Sequence, residues 1–176
     1  MNATKILLLG YMGSGKSAVG SLLCDQINFI FRDLDNFIEI ELNESIPSIF
    51  KNRGEIYFRK KEREFLERII ENPNPMIVSL GGGTPCYYNN MEYISELIHV
   101  KTVYLQTSVA NLSDRLYNSK NKRPLIDHLN SKDDIMKFVA KHLFERNNFY
   151  NQSNHTVNTD NKTVVQVVED VVRVLA

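Results

Sequence analysis

The sequence predicts an α/β fold in which a parallel β-sheet is covered by helices on both faces. Short apolar runs alternate with longer amphipathic ones, the pattern of strands joined by crossover helices. The first apolar run leads directly into a glycine loop that opens a helix. No repeat, low-complexity tract or linker interrupts the 176 residues, a length that fits one domain with a proper core.

Taken in order, "KILLL" (5–9) reads as a buried strand, followed by the glycine loop and a helix from about Lys16 to Ile27. "FIF" (29–31) is a second strand. Helical patterns follow around "NFIEIELN" (36–43) and across "EIYFRKKEREFLERII" (55–70). "MIVSL" (76–80) is a third strand and runs into "GGG"; "HVKTVYLQ" (99–106) is a fourth and "HTVNT" (155–159) a fifth. Further helical stretches fall near 89–97, 108–117 and 131–150. The closing "TVVQVVEDVVRVLA" (163–176) repeats valine at helical spacing, although β-branched residues are indifferent helix formers.

Lys plus Arg and Asp plus Glu both number 21, so the formal net charge is zero. No global charge calls for nucleic acid or an anionic membrane as partner. No apolar run approaches the roughly 20 residues of a membrane helix, and the opening "MNATKILLLG" is too short for a secretory core. The expectation is a cytoplasmic protein. Its two cysteines, Cys24 and Cys86, lie far apart outside any metal-ligand spacing and are expected to be reduced thiols.

"GYMGSGKS" (10–17) matches GxxxxGK[ST] between a strand and a helix, the context that gives the pattern its meaning. Glycines 10, 13 and 15 permit close backbone approach, and their amides with the helix N-terminus turn partial positive charge toward phosphate oxygens. Lys16 can reach the β- and γ-phosphates, and the Ser17 hydroxyl can ligate Mg²⁺. A nucleoside triphosphate is the expected ligand. The loop alone does not name a reaction, because GTPases, motor ATPases and small-molecule kinases share it.

"FRDLDNF" (31–37) sets Asp33 and Asp35 two apart after the second strand, the end of an open sheet where ligands bind. In an extended segment both would face one side. Asp33 is then placed to help hold Mg²⁺ through water, and Asp35 to accept a hydrogen bond from an acceptor hydroxyl as general base. An aspartate after a strand is also a common helix N-cap. "GEIYFRKKEREF" (54–65) puts Arg59 and Glu62 three apart on a helix, a pattern that also describes a solvated face. Three consecutive glycines in "SLGGGTP" (79–85) would let a ligand lie against bare amides. "YNSKNKRPLIDH" (117–128) reads as a flap carrying Arg123, and "FERNNFY" (144–150) places Arg146 near the end of a long helix.

In this order and spacing, GxxGxGKS, Asp-x-Asp, "GE..FR..E", "GGG", "RPL" and "R...Y" resemble the shikimate kinase family over about residues 5–160. The resemblance implies a P-loop, nucleoside-monophosphate-kinase-like fold: a five-stranded parallel sheet flanked by helices, with a substrate-binding helical region at about 33–62 and a mobile lid at about 117–128, all in one kinase domain, 1–176. It implies ATP-dependent phosphorylation of the shikimate 3-hydroxyl in aromatic amino-acid biosynthesis, with Mg²⁺, by a monomer. Gly13, Ser14, Gly15, Lys16, Ser17, Ala18, Arg115 and Arg123 would bind ATP, and Ser17 and Asp33 would hold the metal. Asp35, Lys16 and Arg123 would carry catalysis. Asp35, Phe58, Arg59, Gly81, Gly82, Gly83 and Arg146 would bind shikimate, with Arg59 and Arg146 on its carboxylate, a task suited to a guanidinium fork.

Two stretches depart from the family pattern. "NQSNH" after Tyr150 lacks the usual acidic residue and alanine, and "VNTDNK" (157–162) offers Asn161 and Lys162 where arginine is common beside adenine. The alternatives are a related kinase acting on gluconate, and a nucleotide-binding regulatory module with no acceptor.

Overall fold

The structure is a computed structural model that describes residues 5–119 and 125–176. Its elements alternate as expected: β1 (Lys5–Leu9), α1 (Lys16–Ile27), β2 (Ile30–Asp33), α2 (Leu34–Leu42), α3 (Ile46–Glu71), β3 (Met76–Ser79), α4 (Asn90–Ser95), β4 (Val100–Gln106), α5 (Val109–Tyr117), α6 (Lys132–Tyr150), β5 (His155–Asn158) and α7 (Val164–Leu175). The five strands form one sheet in the order β2-β3-β1-β4-β5, every pair parallel.

β1 occupies the centre, and each of its five residues is buried. Successive strand side chains point to opposite faces, and the core divides accordingly. Leu7 and Leu9 join Val78 and Tyr104 in a cluster under α2 to α6, whereas Ile6 and Leu8 join Ile77 and Val103 under α1 and α7. Each buried leucine contributes roughly 1.5–3 kcal/mol relative to exposure, so the central strand tolerates no polar exchange on either face. Lys5, buried at the edge of this core, keeps its ammonium satisfied by the carbonyls of Asn72 (2.6 Å) and Asn74 (3.0 Å).

Most boundaries shift by one or two residues from the sequence reading, and two differences matter for the site. The second strand is Ile30–Asp33 rather than 29–31; it is the sheet edge and half exposed, so apolar content marks its start but not its end. The helix expected over 55–70 begins at Ile46 and is broken at Gly54, whose φ of 79° is left-handed. The limb before the break is capped by Ser45, whose side chain accepts from the Ser48 amide, with Pro47 in the first turn.

Candidate active site

The loop between β1 and α1 turns through Gly13 (φ 85°) and Gly15 (φ 99°), and α1 starts at Lys16. The free amides of the first helical turn therefore face the loop. Lys16 Nζ donates to the carbonyls of Gly10 (2.8 Å) and Tyr11 (3.1 Å). Ser17 Oγ donates to Asp33 Oδ2 at 2.8 Å. Ser14 is buried, and its hydroxyl has no hydrogen-bond partner among the described residues. A cavity of about 310 Å³ is lined by Gly13, Gly15, Lys16, Ser17 and Ala18 together with Asp33 and Asp35.

The extended arrangement expected for Asp33 and Asp35 is not the one found. β2 ends at Asp33 and α2 begins at Leu34, so Asp35 sits in the first helical turn. Asp33 is indeed an N-cap: it accepts from the Asn36 amide (3.3 Å) with Oδ1 while Oδ2 takes the Ser17 hydroxyl. The capping reading holds for Asp33, and the same carboxylate also takes the Ser17 hydroxyl at the start of α1. Burial pushes the Asp35 carboxyl up to about 6, and the nearby Glu62 and Asp33 charges add to the rise against Lys16 and Arg59.

Beyond the Gly54 break, α3 presents Arg59 and Glu62. They pair at 2.9 Å, with Glu62 almost wholly buried and Arg59 11% exposed. Glu62 also accepts from Thr84 Oγ1 at 2.6 Å, and the Arg59 guanidinium lies 4.0 Å from the centre of the Tyr87 ring. The helix is thus not a plain solvated face at this point. The same contacts require two of the three glycines. A Cβ on Gly83 would stand 2.7 Å from Arg59 Nη2, and one on Gly81 would meet Asp35, Thr84 and Glu62 within 3.2 Å.

Asp35, Phe58, Arg59, Gly81, Gly82, Gly83 and Arg146 all line a second cavity of about 560 Å³. Its apolar wall is Ile46, Pro47 and Phe50 from the first limb of α3, with Phe50 stacked on Phe58 at 4.7 Å and Leu125 opposite. Met12, Asp35, Gly81 and Gly82 line both cavities. Two compartments, one floored by phosphate-loop amides and one carrying two guanidinium groups, therefore meet at one carboxylate with a raised pKa.

Arg115 donates to the carbonyls of Gly13 (3.1 Å), Ser14 (3.4 Å) and Thr159 (3.4 Å), so it ties the phosphate loop to the segment after β5. In that segment Lys162 pairs with Asp170 at 2.9 Å and Asn161 has left-handed backbone. Arg123 lies outside the described residues, as do residues 120–124 of the expected lid. Met12, Ile46, Pro47, Phe50, Glu62 and Leu125 were not singled out as site residues from sequence. Glu62 left a signal in its i, i+3 spacing from Arg59, and the others fell inside stretches already marked: Met12 in the phosphate loop, Leu125 in "RPL", and Ile46, Pro47 and Phe50 in the helical region 33–62.

A family model described as shikimate kinase matches residues 12–176. The chain is 43% identical over 171 residues to the shikimate kinase of Flavobacterium psychrophilum, covering 97% of this chain and 98% of the relative. The chain belongs to the shikimate kinase family. A solved shikimate kinase from Bacteroides thetaiotaomicron superposes with a TM-score of 0.88 at 33% identity, covering 97% of each chain. The Acinetobacter baumannii shikimate kinase solved in complex with shikimate gives 0.84 at 27% identity, over 98% of this chain and 93% of that one. A gluconokinase from Sinorhizobium meliloti, at 0.61 and 14% identity over 97% of this chain and 90% of its own, shares the fold alone. As a shikimate kinase family member the protein is a P-loop phosphotransferase, and the regulatory-module reading is set aside.

Proposed function

We propose that this protein transfers the γ-phosphoryl group of ATP to the 3-hydroxyl of shikimate, giving ADP and shikimate 3-phosphate, a step of aromatic amino-acid biosynthesis. The observation that carries the reading is the position of Asp35 on the boundary of the two cavities. Gly13, Ser14, Gly15, Lys16, Ser17 and Ala18 bind the triphosphate, and Arg115 acts at the nucleotide side. Arg59 and Arg146 grip the shikimate carboxylate, the backbone of Gly81, Gly82 and Gly83 contacts the acceptor, and Phe58 packs on its ring.

In the transfer step Asp35 takes the proton of the 3-hydroxyl, whose oxygen lone pair forms the new bond to the γ-phosphorus. The bond to the β,γ-bridging oxygen breaks and its electron pair leaves on ADP. Lys16 offsets charge on the transferring oxygens, a role that the family resemblance also gives to Arg123. Ser17 Oγ and Asp33 Oδ2, hard oxygens 2.8 Å apart at the edge of the donor cavity, fit Mg²⁺, which takes few protein ligands beside phosphates and water. Bound there, Mg²⁺ would neutralise charge on the β- and γ-oxygens.

The same reading has the chain act as one kinase domain, a cytoplasmic monomer working on small molecules without nucleic acid or membrane. Its balanced charge and free Cys24 and Cys86 support that. The deciding experiment is a coupled ADP-release assay with ATP, Mg²⁺ and either shikimate or gluconate. Turnover with shikimate alone is expected; turnover with gluconate alone overturns the reading.

A further inference from the structure

Tyr150 closes α6 and is fully buried, and its side chain is hydrogen-bonded to Arg146 one turn earlier on the same helix. It donates to the carbonyl of Gly82 at 2.5 Å, across 68 residues of sequence. Its ring packs on Tyr104 of β4 with centroids 5.0 Å apart and planes at 33°, which leaves the phenol little freedom to swing. A buried phenol needs a polar partner. Here the hydroxyl bridges Arg146 and a peptide of the glycine loop at the point where the two cavities meet, for Gly82 lines both. Arg146, which lines the acceptor cavity, stands four residues earlier on the same face of α6.

We infer that Tyr150 is a positioning residue for phosphoryl transfer: its hydroxyl fixes the peptide between Gly82 and Gly83 relative to the helix that carries Arg146. The chain has no cis peptide among the described residues. In a trans peptide the carbonyl and the following amide point opposite ways. Holding the Gly82 carbonyl toward α6 therefore turns the Gly83 N–H away from it, and one side chain sets the spacing between an amide loop and a guanidinium on separate elements. The inference rests on the reading of that loop and Arg146 as acceptor-binding. Tyr104 supplies an internal control, because its hydroxyl also reaches α6, at Asn147 Oδ1 (3.3 Å), but Tyr104 is not on the lining of either cavity.

The test compares Tyr150→Phe, Tyr104→Phe and Tyr150→3-fluorotyrosine in steady-state kinetics on the whole chain. Tyr150→Phe is expected to raise the shikimate KM about tenfold, the scale of one lost hydrogen bond, while ATP KM stays within about twofold and kcat falls less than about threefold. Tyr104→Phe should leave both KM values within about twofold, and the fluorinated residue, which keeps the donor, should keep the wild-type shikimate KM. A Tyr150→Phe enzyme with unchanged shikimate KM overturns the inference. So does one matched by Tyr104→Phe, or one that does not fold, since the hydroxyl then serves only the structure. Wild-type protein with no shikimate-dependent ADP release overturns the functional reading itself, a result distinct from these.

Discussion

Asp35 and Gly81 meet with no room to spare: a Cβ on Gly81 would stand 2.8 Å from Asp35 Oδ1. The glycine is required by a neighbouring carboxylate rather than by its own backbone angles. Gly81→Ala must therefore displace Asp35, Thr84 or Glu62. A shift of this kind at a reacting group lowers turnover about a hundredfold. ADP affinity, read by calorimetry, should stay within about twofold, because the phosphate loop is not disturbed. Near-normal kcat would mean that Asp35 does not need its present place.

Replacing Asp35 by Asn should separate stability from activity. The folded-state pKa of about 6 lies above the unfolded value near 3.8. Between about pH 4 and 6 the unfolded chain ionises first, so this group lowers stability as pH rises and holds a constant penalty above about 6. Asp35→Asn should then stabilise the fold at pH 7.5 by about 1–3 kcal/mol, read as a higher melting temperature, and the gain should vanish near pH 4. Turnover should drop by more than about a hundredfold. In the parent enzyme kcat/KM for shikimate should decline as pH falls through about 6. A melting temperature equal to the parent's at both pH values would contradict this account of the Asp35 environment.

Arg59→Lys tests the fork. Arg59 pairs with buried Glu62 and stacks on Tyr87 in one pose, and a single ammonium cannot reproduce both contacts and grip a carboxylate. The shikimate KM should rise about 10- to 100-fold with ATP KM little changed. Unaltered kinetics would place the carboxylate clamp elsewhere.

Ser17→Ala removes a hydroxyl that Asp33 holds at 2.8 Å. The Mg²⁺ concentration for half-maximal rate should rise at least about tenfold, and chelation by EDTA should abolish turnover of the parent enzyme. Shikimate binding, followed by calorimetry without nucleotide, should be unaffected. A parent enzyme that runs at full rate in EDTA would remove the metal from the scheme.

What could be read in the chain was local chemistry. The phosphate loop announces itself because strand, glycines, lysine and helix are contiguous, and the order of strands follows from apolar runs between amphipathic ones. The edge strand was misplaced because Arg32 and Asp33 extend it beyond its apolar residues. The limb 46–53 fell inside the helical region 33–62 that the family resemblance implied, but its own residue pattern did not show it, because "NESIPSIF" mixes turn residues with a proline. The burial of Glu62 was invisible for another reason: Thr84 lies 22 residues away, and nothing at position 62 announces it. The paired aspartates were linked to the right loop by the wrong geometry, a strand continuation instead of an N-cap and a first turn.

The left-handed joint at Gly54 has a reach beyond the helix it interrupts. Upstream of it lie Ile46, Pro47 and Phe50, and downstream lies Arg59, all on the lining of the larger cavity. Under the proposed function, bulk and polarity recognition then belong to separate arms of one hinge. Drift in the first arm can widen or narrow the range of rings admitted while the electrostatic address of the substrate stays the same.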